Sequence, residues 1–488
     1  MFTRLIQPMC SRLPLSYFFL FTLGLSATAL IATNTYAQKP GERVVVTANT
    51  DTKIYKENVD KVYTGDIHTV IAVNGKWCAL SRVKGWLPSR YILSLSSAMQ
   101  LYQKRIKDND SDADAFAFRG MLYYEIDDYP KADADFTRSL RLNPKNAAAW
   151  SNRGMVRKLM QDYAQALADF EQALTINPKY AEAYYNRGLI QFELGQYDAS
   201  IKSYDEAETL KPNDVWTLIN RGFAKQSLGR NLAAQKDFEA AIELDPTISE
   251  SYIGMCNIKL SQNDLESARH YAELSVKKHP SNGMALNSRG WIKFKLGDID
   301  EAIQDFDLAI RYAPTQSIIY NNRGVCLAEQ KQFRKAVDDY SRAIQLFPRS
   351  AVAFANRGSA YMNQGDFKRA KQDLETAVEY APRLSDAVNG FAWFLATCPV
   401  EKYRNGEQAI ELATTACEMS DGKDWSHLDT LAAAYAEAGI YEKAAETQEK
   451  ALQLAPPAAQ ANCQQRLELY RSETAFRSTQ GKNTQRPR

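Results

Sequence analysis

From residue 113 onward, apolar and polar positions recur at a fixed spacing of 34 residues. Prolines mark the period, at Pro144, Pro178, Pro212, Pro246, Pro280, Pro314, Pro348 and Pro382. Units counted from residues 113, 147, 181, 215, 249, 283, 317 and 351 place these prolines at position 32. Position 4 is then aromatic or leucine in every unit, from Phe116 and Trp150 to Tyr320 and Phe354. Position 8 is glycine in seven of the eight units, with Cys256 in the fifth. Position 20 is mostly Ala, position 24 mostly Phe or Tyr, and position 27 always Ala or Ser. Spacings of three and four residues are those of an amphipathic helix, so each unit predicts two helices with a polar turn near positions 15–18. Small residues at 8, 20 and 27 allow close approach, and the large residue at 24 fills the space between. The proline near the end of each unit stops its second helix. One such pair cannot bury its own apolar faces, whereas stacked pairs can.

These columns resemble those of the tetratricopeptide repeat family. The resemblance implies a mainly α chain, a superhelical solenoid of about ten helix pairs. Repeats one to eight span 113–384. A ninth, over 385–424, is interrupted by about six extra residues around Cys398-Pro399-Val400-Glu401-Lys402-Tyr403-Arg404. A tenth covers 425–458, with Leu428, Ala432, Tyr435, Ala444 and Ala451 in the columns. Residues 97–112 are expected to form an N-terminal capping helix and linker. Residues 459–472 are expected to form a polar capping helix, and 473–488 a disordered basic tail.

Four further columns are polar or suggest a surface. Position 7 is Arg at 119, 153, 187, 221, 289, 323 and 357, and position 23 is Asp at 135, 169, 237, 305, 339 and 373. In antiparallel helices these positions lie at about the same height. Arg119 with Asp135, and Arg323 with Asp339, are therefore expected to bridge the two helices of a repeat. The alternative is that both columns merely fall on solvated faces. Position 6 carries Asn152, Asn186, Asn220, Asn322 and Asn356. The resemblance places this column on a concave groove, where amides holding both donors and an acceptor could grip an extended peptide backbone. It could equally be repeat consensus. Met121, Met155, Leu189, Phe223 and Trp291 at position 9 add apolar character to the groove. The clamp that some family members use for chaperone tails needs basic residues at position 2. Here Asp114, Ala148, Glu182, Trp216 and Glu250 stand there, which argues against it.

The chain before the repeats has another texture. Val44-Val45-Val46 and Val70-Ile71-Ala72-Val73 read as strands, and Asn74-Gly75 before Lys76-Trp77 signals a hairpin. Gly75-Lys76-Trp77 and the later Gly85-Trp86 resemble the bacterial SH3-like domain, implying a small SH3-like β-barrel over 41–95. Trp77, Pro88 and Tyr91 would match the residues with which related domains hold proline-rich peptides. The usual opening aromatic motif is absent, and Trp77 and Trp86 could instead be core. Ahead of this module, Arg4 and Arg12 precede the apolar run Leu13–Ala32 and a small-residue site at Thr35-Tyr36-Ala37. That is the layout of a signal peptide over 1–37. Uncleaved, it would be an N-terminal membrane anchor. Either way, the remainder is expected to lie outside the cytoplasm, in the periplasm or secreted.

Composition narrows the function. The chain of 488 residues has a formal charge of +2, with 45% hydrophobic and 24% charged residues, which is ordinary for a soluble chain. The leader carries +2 and residues 471–488 carry +4, so the body between is −4 and suits no bulk-charge nucleic-acid binder. After the leader come Cys78, Cys256, Cys326, Cys398, Cys417 and Cys463, with no paired metal spacing. Cys256 and Cys326 read as buried small residues, and Cys398 and Cys417 fall at opposite ends of a helix pair, so no disulfide between them is expected. No phosphate-binding loop, dinucleotide motif, nucleophile elbow or zinc-protease motif occurs. The expectation is a non-enzymatic extracytoplasmic scaffold or adaptor. It would need no cofactor or metal, and would bind an extended protein segment in its groove. Two alternatives are an envelope anchor that binds wall glycan or peptide through the SH3-like module, and an accessory assembly factor for an envelope complex.

Overall fold

The computed structural model describes residues 94–478 in full and, upstream of them, the backbone of strands between residues 43 and 94. The strands are β1 (Arg43–Val46), β2 (Thr50–Ile54), β3 (Glu57–Val62), β4 (Ile67–Asn74), β5 (Trp77–Leu80), β6 (Trp86–Pro88) and β7 (Ile92–Ser94). They form one antiparallel sheet in the order β3-β2-β6-β5-β4-β1-β7. Asn74 pairs with Trp77 where β4 meets β5. The side chains of Trp77, Pro88 and Tyr91, the leader over 1–37 and the tail beyond 478 lie outside the described residues, as does closure of an SH3-like barrel.

The chain divides into two compact units between Leu244 and Asp245. In the first, α1 (Leu95–Asp108) precedes four helix pairs: α2 (Ala113–Glu125) with α3 (Tyr129–Leu142), α4 (Ala147–Leu159) with α5 (Tyr163–Ile176), α6 (Ala181–Glu193) with α7 (Tyr197–Leu210), and α8 (Val215–Ser227) with α9 (Asn231–Leu244). The capping helix α1 starts at Leu95 and buries Ala98 and Tyr102 against Ala115 and Leu122. The second unit pairs α10 (Ser249–Ser261) with α11 (Leu265–Lys278), α12 (Gly283–Leu296) with α13 (Ile299–Tyr312), α14 (Ser317–Glu329) with α15 (Phe333–Leu346), and α16 (Ala351–Gln364) with α17 (Phe367–Tyr380). It continues with α18 (Ser385–Thr397) and α19 (Gly406–Met419), α20 (Trp425–Glu437) and α21 (Tyr441–Leu454), and ends in α22 (Pro457–Arg471).

Local chemistry sets each hairpin. Position 15 is left-handed in every repeat from one to eight: Gly195, Gly229, Gly297 and Gly365 adopt φ of 73–95°, while Asp127, Gln161, Asn263 and Lys331 hold φ of 60–64°. The next amide reaches back to the carbonyl five residues earlier, as in Asp128 to Tyr123 and Asp298 to Lys293, both at 2.9 Å. This closes the first helix by a Schellman-type turn. Asp128, Asp162, Asp264 and Asp366 then cap the second helix by accepting the amide three residues on.

The glycine column is a matter of volume. Each position-8 glycine faces the position-24 side chain of its own repeat. A Cβ on Gly188 would stand 2.7 Å from Tyr204, and one on Gly324 would stand 2.7 Å from Tyr340. Where position 8 gains a side chain, position 24 shrinks. Cys256 shares a buried cluster with Ala272, and Ala392 shares one with Ala413. A side chain at position 8 is thus accommodated only beside a small residue at position 24, as close packing requires.

Two expectations are corrected at the C-terminal end. In the ninth repeat α19 starts 21 residues after the start of α18, against 16 in the eighth, so five of the six extra residues lie between these two helices and the sixth lies between α19 and α20. The connection from α18 to α19 holds a single turn of 3-10 helix at Glu401–Tyr403. Residues 473–478 do not belong to a disordered tail. The chain reverses at Glu473 (φ 52°) and packs back on α18, where Ala475 and Phe476 join the core. Nor is α22 simply polar, since Ala459, Cys463, Arg466, Leu467 and Tyr470 are buried along one stripe. Cys256, Cys326, Cys398, Cys417 and Cys463 are all buried and unpaired as disulfides. Burial pushes the Cys256 thiol up to about 12.

Candidate peptide-binding face

Within each unit the first helices of successive repeats line one side. In the first unit α2, α4, α6 and α8 touch in succession, and in the second α10, α12, α14, α16, α18 and α20 do so. The second helices of neighbouring repeats stay further apart. The first helices therefore form the inner face of each unit.

The Arg column closes each repeat internally. In all six repeats that carry both residues, Nε of the arginine donates to Oδ2 of the aspartate 16 residues on, at 2.7–3.1 Å. The Nη2 group donates to Oδ1 of the same carboxylate at 2.6–2.9 Å. Arg119–Asp135 and Arg323–Asp339 are two of these bidentate pairs. The aspartates are only 2–6% exposed. The hydrogen bonds to Asp135 and Asp305 raise the already high pKa of Arg119 and of Arg289.

A third guanidinium nitrogen reaches the previous repeat. Arg153 donates to Thr137, Arg221 to Asp205, Arg323 to Asp307 and Arg357 to Ser341, at 2.6–3.1 Å. One planar fork thus ties a first helix to its own second helix and to the second helix before it. Where position 23 is Ser203, Arg187 makes a single bond at 3.1 Å. The acceptors at position 25 form no column in the sequence, because their identity varies among Thr, Asp and Ser. Only their function as acceptors repeats.

The Asn column is largely engaged in holding repeats together. Asn322 Nδ2 donates to Asn287 Oδ1, and Asn356 Nδ2 to Asn321 Oδ1, both at 3.0 Å. Asn220 Nδ2 donates to Tyr185 Oη and to the Trp216 carbonyl, both at 2.9 Å. In every case the side-chain partner is position 5 of the preceding repeat. Asn152, Asn186 and Asn322 are buried, at 8%, 3% and 4% exposure. Asn186 keeps its Oδ1 without a hydrogen-bond partner. Asn287 and Asn321 are thus structural partners that the sequence reading passed over. The signal was present as a separation of 35 residues, one period plus one.

Position 9 stays partly open on the inner face. Met121, Leu189 and Phe223 are buried, whereas Met155 and Trp291 are half-buried. The Trp291 indole N–H has no hydrogen-bond partner. Lys295 stands 5.2 Å from the centre of its ring. Among the described residues, no cluster of His, Cys, Asp and Glu could hold a metal ion, and no helix is long and apolar enough to cross a membrane.

Models of the tetratricopeptide repeat match residues 160–215, 257–317 and 293–351, residues 324–389, and residues 113–146 and 217–248. Among solved structures, the chain is similar to a tetratricopeptide repeat protein from Parabacteroides merdae, with 17% identity, a TM-score of 0.46, and coverage of 54% of this chain and 99% of that one. It is similar to YrrB, described as a TPR protein with an unusual peptide-binding site, with 21% identity, a TM-score of 0.35 and coverage of 39% and 98%. It is also similar to yeast Tom70, with 19% identity, a TM-score of 0.39 and coverage of 78% and 92%. No curated protein matches the chain in sequence.

Proposed function

Since this chain belongs to the tetratricopeptide repeat family, whose members mediate protein–protein interactions, we propose that it is a non-enzymatic scaffold holding an extended segment of a partner protein on its inner faces. The observation that carries this reading is the alignment of first helices into one face per unit. That face presents half-buried apolar side chains, among them Met155 and Trp291. The charged columns are consumed in internal pairs, so recognition falls to shape and apolar contact.

The repeat-stapling role of the Asn column changes how this is tested. Replacing Asn220 or Asn322 would loosen the stack as well as any ligand. Met155→Glu and Trp291→Glu are the cleaner probes, because both residues are half-buried. A peptide selected on the mature chain is expected to lose most of its affinity for the double variant, while circular dichroism shows its helices retained at the assay temperature. Undiminished binding would sink the reading.

The compartment is part of the same proposal. Arg4, Arg12, the apolar run Leu13–Ala32 and the small residues before Gln38 support export with removal of residues 1–37. The strands between residues 43 and 94 support a second attachment point ahead of the repeats, an SH3-like module toward wall material or protein. Two linked sites would bind more tightly than either alone through effective concentration.

A further inference from the structure

Two irregularities of the sequence meet in space: the insertion in repeat nine and the segment after α22. In a regular repeat the first helix ends in a left-handed turn that uses its last carbonyls. The insertion removes that turn from α18, which ends at Cys398 in an extended conformation ahead of Pro399. The carbonyls of Ala396 and Thr397 are instead met by the C-terminal segment. The Ser478 amide donates to the Thr397 carbonyl at 2.9 Å, and Arg477 Nη1 approaches the Ala396 carbonyl at 3.5 Å. Ser478 Oγ and Thr397 Oγ1 share a buried hydrogen bond of 2.8 Å.

Phe476 lies on Trp393, the position-9 residue of repeat nine, with ring centres 5.8 Å apart. The Arg466 guanidinium stands 5.6 Å from the centre of Trp393 and 5.5 Å from that of Phe476. Arg477 pairs with Glu437 at 2.6 Å, and Arg404 from the insertion takes the other oxygen of that carboxylate at 2.9 Å. The segment has no helix or turn beyond Glu473, makes backbone and side-chain hydrogen bonds to an inner-face helix, and lays one aromatic ring on it. Those are the attributes of a bound peptide.

We propose that Trp393, Thr397, Glu437 and Arg466 form a peptide site for an extended aromatic–basic–hydroxyl sequence, and that the chain's own Phe476-Arg477-Ser478 fills it in cis. A partner segment of the same chemistry must displace this tail. The effective concentration of a tethered segment lowers the apparent affinity of any competitor by the fraction of time the site is occupied. The inference rests on the reading of the inner faces as peptide sites, but it concerns only the last two repeats.

The test uses a labelled synthetic peptide of residues 473–488 as probe. It is titrated into the intact chain and into the full-length variant Phe476→Ala/Arg477→Glu, in which the tail is present but cannot seat. The variant is expected to bind the probe about tenfold or more tightly than the intact chain, and a further Trp393→Ala substitution is expected to abolish that gain. Equal binding to both chains, or none to either, overturns the proposal. If the segment is only a structural cap, the variant melts lower and binds no probe. Undiminished peptide binding by the Met155→Glu/Trp291→Glu chain, with this gain intact, would refute the general reading instead.

Discussion

At the scale of single residues, two pairings 16 positions apart carry most of the information. The glycine at position 8 and the large residue at position 24 are matched by volume. Gly324→Ala is expected to cost about 1–3 kcal/mol, because its Cβ would press on the Tyr340 ring. In a Tyr340→Ala background the same change is expected to cost almost nothing, reproducing the Cys256–Ala272 solution; chemical denaturation of the four proteins checks this. The arginine at position 7 and the aspartate at position 23 are matched by charge and by fork geometry. A double-mutant cycle on Arg323 and Asp339 is expected to give a coupling of about 0.5–3 kcal/mol. Additive single effects would mean that the two columns simply face solvent. Arg323 also holds Asp307 of the previous repeat, so Arg323→Lys, which loses the fork, is expected to recover only part of the stability.

At the scale of elements, the ends of the stack differ from its interior. A regular repeat is stapled to the next by position 5 and position 6, as Asn287 is to Asn322. The last repeat has no successor, and α22 takes that place with a buried node. Arg466 Nε and Gln448 Nε2 both donate to Asp429 Oδ1 at 2.7 Å, and Asp429 is fully buried. Arg466→Met leaves this carboxylate without its charge partner, for which the expected loss is about 3–5 kcal/mol. The damage is expected to appear as faster amide exchange in α20–α22 and the tail, with α12–α15 unaffected. Uniform loosening of the whole unit would contradict this local account.

At the scale of the whole molecule, stability in a stack of repeats is a sum of nearest-neighbour terms. Gly188→Ala, which drives a Cβ against Tyr204, is therefore expected to speed amide exchange in α4–α9 while α14–α17 keep their protection. The charge distribution points the same way, toward a scaffold. Removal of residues 1–37 would leave a mildly acidic body with a basic C-terminal end. Mass spectrometry of protein recovered from the cell envelope is expected to find Gln38 as the first residue. Recovery of the chain with Met1 would place the leader as an anchor.

The periodicity of the sequence was sufficient for the helix pairs, the position of each turn and the meeting of Arg119 with Asp135 or Arg323 with Asp339. Each of these depends on contacts within one 34-residue unit, where helical geometry fixes which side chains are neighbours. The identity of the partners across repeats was less legible. Asn322 reads alone as a ligand residue, and only the packing of α12 against α14 shows its amide spent on Asn287. The C-terminal segment was least legible of all. Its composition is that of a solvated tail, and nothing local in Thr474–Ser478 announces order. It is ordered because α18 ends with unmet carbonyls beside Trp393, more than 70 residues away in sequence. Local spacing determined the repeat, whereas satisfying the backbone groups exposed where the repeat breaks was decided only in three dimensions.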